Sequence, residues 1–283
     1  GVPQPRFAVA ADEAEALTAA REIGFPCIVK APDSSGSRGV VKASGEEDVA
    51  AAYEEARRWS RVGLVLVEEF ISGHEIGAQA FSLGGRCRSV QVHNDFMSPP
   101  PYMIPVGHSF PPSLPADVLR ATERAVSACV DALGILWGPS NIDFILRPGG
   151  EPAIIEVGAR LGATCLPELV TCYTGIDWVS AAVLAAFGRE VALAPRVHQP
   201  CAAFILEAPD DGVLSAVHLP EDMLALPDVL EVEVTARPGE RVSRLRKGTD
   251  RIGKVVTRGE TLEAAEKLAL DIRNAIRFDI EAD

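Results

Sequence analysis

The sequence predicts an α/β (α+β) chain in three parts: a small α/β unit over residues 1–70, a larger α+β part over 71–190 and a C-terminal α/β subdomain over 191–283. Three observations carry this. Up to residue 70, short apolar runs alternate with Ala/Glu-rich segments of helical spacing. Two glycine pairs, Gly84-Gly85 and Gly149-Gly150, each sit between strand-like runs. From Val191 onward the pattern changes to short strands separated by Pro, Gly and Asp, closed by a final helix.

The first helix is expected over 12–23, stopped by Gly24. Residues 25–30 read as a buried strand leading into the loop Asp33-Ser34-Ser35-Gly36-Ser37-Arg38-Gly39, with a short strand at 40–43 after it. Ser44, with Glu47 three residues on, has the pattern of a capping box and opens a helix to about residue 60. Residues 64–69 form the next apolar strand. A hairpin at 76–83 and 86–93 follows, then a Pro-rich stretch at 95–115 that reads as a long irregular functional loop. A helix is expected over 115–133, strands over 142–146 and 153–157, a helix over 178–187 and a last helix over 262–276. No internal repeat or low-complexity tract is present.

With 283 residues, 47% of them hydrophobic and 24% charged, the chain has the composition of a soluble globular enzyme. No apolar run approaches the roughly 20 residues that span a bilayer, and no secretory leader is visible, so the cytoplasm is expected. The chain begins Gly1-Val2-Pro3 without an initiator Met, which points to a processed product or a fragment. The net charge of −13 argues against a nucleic-acid partner, since its 27 basic residues are scattered among 40 acidic ones. The densest basic stretch, 241–251, reads as a solvated hairpin. Cys27, Cys87, Cys129, Cys165, Cys172 and Cys201 form no C-x-x-C pair and no Cys/His ligand cluster.

The sharpest chemical signal is a pair of carboxylates. A symmetric turn about Gly149-Gly150 puts Asp143 opposite Glu156 on one face of the hairpin, with Ile142, Phe144, Ile155 and Val157 on the other. Like charges so placed repel, and a hard divalent cation removes that cost. With no Cys or His expected nearby, the pair suits Mg²⁺; two acids on a solvated strand face are the plain alternative. Lys30, at the end of an apolar strand before the loop 33–39, offers a second signal. Its glycines give backbone N–H groups access to phosphate oxygens, although the loop is not a G-x-x-x-x-G-K-[ST] phosphate loop. A lysine reaching water beside a flexible loop is the alternative there. The third is Glu68-Glu69-Phe70-Ile71 running on to His74-Glu75, where a strand end next to an apolar residue and a carboxylate suits a nucleoside, although such acids are often merely solvated.

In their order along the chain, the stretch 26–30, the loop 33–39, Glu68 to Glu75, Asp143-Phe144 and Ile155-Glu156-Val157-Gly158-Ala159-Arg160 resemble the ATP-grasp ligases. The similarity is to the carbamoyl-phosphate synthetase-like branch, and within it to the L-amino-acid (dipeptide) ligases. Pro99-Pro100-Pro101-Tyr102, Gly107-His108 and Pro112 resemble that branch's substrate-side loop, and Asp250-Arg251-Ile252-Gly253 through Gly259 its C-terminal subdomain. The resemblance implies an ATP-grasp fold with a lid, a catalytic part and a C-terminal subdomain. It also implies ATP and Mg²⁺ (with Mn²⁺ able to serve), two ions in all, and amide formation through an acyl phosphate.

Carried onto this chain, the resemblance puts Lys30 and the loop residues Ser34, Ser35, Gly36, Ser37 and Gly39 at the ATP phosphates. Glu68, Glu69, Phe70 and Ile71 go to adenine, with Glu75 at the ribose. Asp143 and Glu156 bind metal, Arg160 steadies the transferring phosphoryl group or the substrate carboxylate, and His108, in the long loop, is a substrate-side histidine. The plain alternative for His108 is a loop histidine bonded to backbone. Two features depart from the family. Gly158 stands where the family shows Asn in Glu-x-Asn, so one metal-ligand side chain is missing. The family's N-terminal domain, with a further ATP-contacting Lys, does not precede residue 1, so the enzyme is expected to need that domain; a homo-oligomer is compatible with the reading. Two rival functions stay open, a bicarbonate-activating carboxylase component and an ATP-binding module without catalysis.

Overall fold

The computed structural model describes residues 2–99 and 104–282, so that Pro100, Pro101 and Tyr102 of the expected substrate-side loop lie outside the described residues. The chain divides into two compact units, one of residues 3–74 with 145–155, the other of 75–144 with 156–282.

In the smaller unit, β1 (Phe7–Ala10), α1 (Glu13–Ile23), β2 (Cys27–Lys30), β3 (Val40–Ala43), α2 (Glu46–Trp59) and β4 (Val65–Glu69) form an antiparallel sheet in the order β1-β4-β2-β3 with its two helices. The Asp12 carboxylate accepts the Glu15 N–H at the start of α1, and Gly24 at φ +96° ends the helix. The capping box expected at Ser44 and Glu47 does not form. Gly45 caps α2, and the Ser44 N–H is donated to the Asp48 carboxylate instead, because that side chain reaches back one turn further. Ala10, Ala16, Ala20, Ala52 and Ala56 are sealed with Val29, Val49, Val65 and Val67. Their small side chains let both helices approach the sheet closely, and β1, absent from the expected elements, supplies an edge strand.

The chain continues with β5 (His74–Leu83), β6 (Arg86–Met97), β7 (Pro105–Phe110), α3 (Ala116–Ala132), β8 (Gly138–Leu146) and β9 (Pro152–Gly158), which belong to the larger unit except for His74, the last two residues of β8 and residues 152–155 of β9. After them come α4 (Leu166–Thr174), α5 (Trp178–Ala186), β10 (Cys201–Glu207), β11 (Gly212–His218), α6 (Glu221–Leu224), β12 (Val229–Val234), β13 (Arg241–Val242), β14 (Arg251–Arg258), α7 (Leu262–Ala275) and β15 (Arg277–Glu281). An eight-stranded sheet runs β12-β14-β10-β7-β6-β5-β8-β9, so the strands of the 71–190 and 191–283 parts share one sheet. A separate sheet has the order β13-β11-β15. One core packs α4 and α5 around Phe81, Phe110 and Trp178; another packs α7 on β10 and β14 through Phe204, Leu206, Val255 and Ile272.

Two further expectations are corrected. The stretch 95–115 is not a long loop: β6 continues to Met97 and β7 occupies Pro105–Phe110. Prolines at 99–101 and 111–112 gave it the look of a loop, yet a Pro opening a strand is tolerated because its missing N–H lies at the end of the ladder. The basic stretch 241–251 is no hairpin. It contributes the two-residue strand β13 and then turns, with Arg244 held by Asp210 and Arg246 by Asp211. Helix α4 and strand β15 were not among the expected elements. Among the described residues no single helix is long and apolar enough to cross a membrane, and all six cysteines are free.

Candidate active site

In the smaller unit, β2 ends on Lys30 beside β4, whose register sets Ile28 opposite Glu68. The Lys30 Nζ lies 2.7 Å from Glu68 Oε2 and 3.4 Å from the Ile155 carbonyl, with both side chains largely out of solvent. The two residues expected at opposite ends of a nucleotide are thus paired with each other. Glu69 is held by Arg147 (3.3 Å) and Arg6, and the hydrogen bond from Arg147 above all lowers its carboxyl. Ile71 is buried, and Lys42 Nζ sits 3.9 Å over the Phe70 ring. Gly73 passes so close to the Leu146 carbonyl that a Cβ would lie 2.1 Å from it.

The loop after Lys30 is tied at both ends. The Asp33 carboxylate accepts the N–H groups of Arg61 and Val62, and Arg38 donates to the Ser35 carbonyl (2.8 Å) and hydroxyl (3.0 Å). Gly36, Ser37 and Gly39 have positive φ, and Gly39 lies against Trp59, which a Cβ would meet at 2.9 Å. Ser35, Gly36 and Ser37 are exposed, and Ser34 is half-buried. Successive turn residues of this kind turn backbone N–H groups toward one side, a geometry that suits an anion.

In the larger unit, a cluster of buried acids forms around β5, β6 and β8. Glu75 is pushed up to about 7 by burial, and then by the charges of Asp95 and Asp143. Asp143 is pushed up to about 6 by burial, by Asp95 and by Glu156, while Asn141 donates to it from 2.9 Å. Asp143 and Glu156 therefore do interact, although the turn between them closes one residue away from the symmetric arrangement. Arg147 N–H bonds to the Glu151 carbonyl at 2.9 Å, which centres the turn on Gly149. Asp95 Oδ1 lies 2.5 Å from His108 Nδ1 and 2.9 Å from His93 Nδ1. Burial would raise the Asp95 carboxyl, but the two histidines hold it well below the carboxylate range. Burial lowers His108 against the pull of Asp95.

Two expected placements change. His108 sits on β7 opposite Asp95 and is bonded to that side chain, so it is neither in a loop nor bonded to backbone. Arg160 does not continue the β9 face: the strand ends at Gly158, whose carbonyl accepts the Arg160 N–H at 2.7 Å, and the exposed guanidinium donates to the Leu161 carbonyl. The carboxylate pair also has a histidine near it, since His93 acts on Asp143. His93, Asp95, Gln79 and Asn141 were not among the expected site residues. Their signal was present: His93 with Asp95, and Asn141 with Asp143, are polar residues at the two-residue period of otherwise apolar strands.

A cavity of about 560 Å³ opens in this unit, lined among others by Thr164, Glu168, Glu233, Arg251 and Lys254. Thr164 and Cys165 both hold positive φ without being glycine, a conformation found at constrained functional loops. Lys254 is held by Glu168 and Glu231 at 3.0 Å each, and Arg251 donates to Thr164 Oγ1. The Cys165 thiol is pushed up to about 12, chiefly by burial, and stays protonated.

The ATP-grasp domain family matches residues 23–168, and the family described as L-amino acid ligase C-terminal domain 2 matches residues 204–281. The uncharacterised protein y4rH of Sinorhizobium fredii is 30% identical over 272 residues, covering 95% of this chain and 56% of that protein. The D-alanine--D-alanine ligase of Bordetella pertussis is 31% identical over 178 residues, 58% of this chain and 53% of the ligase. The chain thus spans about half the length of these two relatives. The crystal structure of the L-amino acid ligase from Bacillus licheniformis superposes with a TM-score of 0.81 at 21% identity, over 99% of this chain and 69% of that one, and so shares its fold. With one family match taking in half of the chain and the other following it in sequence, the chain belongs to the ATP-grasp family.

Proposed function

We propose that this protein is an ATP- and Mg²⁺-dependent carboxylate–amine ligase acting on amino-acid-like substrates. The observation that carries the reading is the buried acid cluster of Asp143, Glu75 and Asp95, with the exposed Glu156 acting on Asp143, in a chain whose C-terminal part matches the L-amino acid ligases. The oxygen-only pair Asp143 and Glu156 fits a hard dication, because Asp143 is raised in part by Glu156, a repulsion that a cation would relieve. Bound Mg²⁺ supplies charge neutralisation at phosphoryl oxygens. Mn²⁺ can replace it, and with Gly158 in place of an amide side chain a second ion has fewer protein ligands.

The remaining roles belong to the chain's own residues. Lys30, which would exchange or share its partner Glu68, and the N–H groups of Ser34, Ser35, Gly36, Ser37 and Gly39 hold the phosphates. Glu68, Glu69, Phe70 and Ile71 take the base, and Glu75 the ribose. Arg160 holds the transferring phosphoryl group or the substrate carboxylate, and His108 serves the substrate side. In the first step the terminal P–O bond of ATP breaks and a substrate carboxylate oxygen takes the phosphoryl group. An amine nitrogen then attacks the carbonyl carbon, the C–O bond to phosphate breaks, and the nitrogen gives up a proton.

The test is release of phosphate and ADP from ATP with Mg²⁺ and an array of amino-acid pairs. Release that depends on a pair, with the matching amide seen by mass spectrometry, is the expected result. Release with bicarbonate alone points to a carboxylase component, and ATP binding without any release to a non-catalytic module; either result overturns the proposal.

A further inference from the structure

The cluster of His93, Asp95 and His108 has a composition that the ATP reaction does not require. Strand β6 places His93 and Asp95 on one face by its two-residue period, and its pairing with β7 sets His108 opposite Asp95. The Nδ1 atoms of both rings approach the same oxygen, Asp95 Oδ1, at 2.9 and 2.5 Å, and the three ligand-capable atoms all lie within 4.8 Å of one another. The rings stand edge to face, 83° apart, with centroids separated by 5.1 Å.

The second observation is a buried nitrogen whose close approach to Asp95 forms no well-directed hydrogen bond. His93 is 1% exposed, and its Nδ1 makes no hydrogen bond despite its closeness to Asp95. A sealed imidazole nitrogen ordinarily has a partner. This one has the Asp95 carboxylate and the His108 imidazole beside it. The opposite edge of the ring does not dictate its tautomer. The Gln79 side-chain carbonyl accepts the Gly162 N–H, and its amide nitrogen has oxygen acceptors at Asn141 Oδ1 (2.6 Å) and the Ala78 carbonyl (3.2 Å), so His93 Nε2 at 3.4 Å is left a weak third contact. Room for the cluster depends on Gly77, where a Cβ would meet His93 Cε1 at 2.3 Å and Asp95 Oδ2 at 3.0 Å.

Two imidazole nitrogens and one carboxylate oxygen form a donor set of intermediate softness. It suits Zn²⁺ and its first-row neighbours, whereas Mg²⁺ selects oxygen alone. The surroundings are also anionic, since Asp95 acts on both Glu75 and Asp143. We propose that His93, Asp95 and His108 form a binding site for one divalent transition-metal ion of the zinc type, distinct in ligand chemistry from the all-oxygen pair Asp143 and Glu156. The site shares Asp95 and His108 with the ligase reading, but it rests on the donor set and needs no nucleotide, so metal binding can be tested without turnover.

The experiment is Co²⁺ titration of the chelator-treated 283-residue chain, followed by visible absorption and calorimetry, with Zn²⁺ and Mg²⁺ as competitors. One Co²⁺ per chain is expected, displaced by Zn²⁺ and retained in excess Mg²⁺. His93→Gln, Asp95→Asn and His108→Gln should each weaken Co²⁺ binding by more than the ~10–100-fold loss typical of an outer-shell partner. His218→Ala, which removes an exposed histidine paired with Asp279, should leave it unchanged. X-ray absorption of the wild-type Co²⁺ complex should show two imidazoles around the ion, a readout that does not depend on any variant folding. Absence of saturable binding, displacement by Mg²⁺, a shell without imidazole, or equal binding by folded ligand variants would each overturn the proposal.

Discussion

Asp95 and His108 face each other across β6 and β7, with Oδ1 of one 2.5 Å from Nδ1 of the other inside the larger unit. Asp95 is held below the usual carboxylate range, against its burial, by the two histidines, so its stabilising contribution is present above the ordinary value of 3.8 and fades as the pH falls further. Asp95→Asn removes that ion and should cost about 1–3 kcal/mol at pH 7, the range for a hydrogen bond to a charged group less some relief for Glu75 and Asp143. Denaturant unfolding checks this, with the gap to wild type closing below about pH 4. A variant as stable as wild type at pH 7 would show that the two histidines do not depend on the charge.

Glu75 behaves in the opposite sense. Its folded value of about 7 stands above the ordinary 4.5, so the native state binds more proton than the unfolded chain, and stability falls as the pH rises through that window. Glu75→Gln should therefore unfold much like wild type near pH 4.5 and be the more stable protein at pH 8, by an amount approaching about 3 kcal/mol. Parallel pH–stability curves for the two proteins would contradict the burial assigned to Glu75.

Asp143→Asn should abolish Mg²⁺-dependent turnover while leaving the metal-free protein as stable as wild type or up to about 3 kcal/mol more so at pH 8, since Asp143 titrates at about 6 instead of 3.8. Thermal unfolding in chelator and a phosphate-release assay read the two effects separately. A large fall in the metal-free melting temperature would make Asp143 a structural residue.

Lys30→Ala should weaken ATP binding by about 1.5–3 kcal/mol, read by calorimetry. Because Lys30 lies 2.7 Å from the buried Glu68, the same change leaves that carboxylate unpaired and should lower stability too. Lys30→Ala combined with Glu68→Gln removes the unpaired charge and should recover stability without recovering affinity. Unchanged nucleotide affinity in either variant removes Lys30 from the site.

Gly158→Asn restores the side chain whose absence sets this chain apart from the Glu-x-Asn pattern. A Cβ at Gly158 meets nothing nearer than the Arg160 side chain at 3.4 Å, and the residue has no positive φ, so the variant should fold. Half-maximal activity should then need less Mg²⁺, with kcat roughly kept, because an amide oxygen replaces a water in a hard ion's shell. A folded variant with an unchanged or greater Mg²⁺ requirement would place residue 158 away from the metals.

Periodicity and punctuation in the sequence were enough for α1, β2, β3, the β5–β6 hairpin and α7, where capping residues, paired glycines and apolar spacing act over a few neighbouring residues. The ATP-grasp resemblance was legible for the same reason, as an order of short local motifs, and the family match over residues 23–168 agrees with it. Tertiary structure decided the rest. That β7 is a strand depends on its partners β6 and β10, which satisfy a backbone that its flanking prolines make look irregular. The turn on Gly149 set its own register, one residue from the symmetric guess, because either glycine of the pair can take the positive φ that such a turn requires. The cluster of Glu75, Asp95, His108 and Asp143 joins the consecutive strands β5, β6 and β7 to β8, which follows only after α3. Its pKa shifts arise from shared burial and mutual charge, which exist only once β5, β6, β7 and β8 lie side by side.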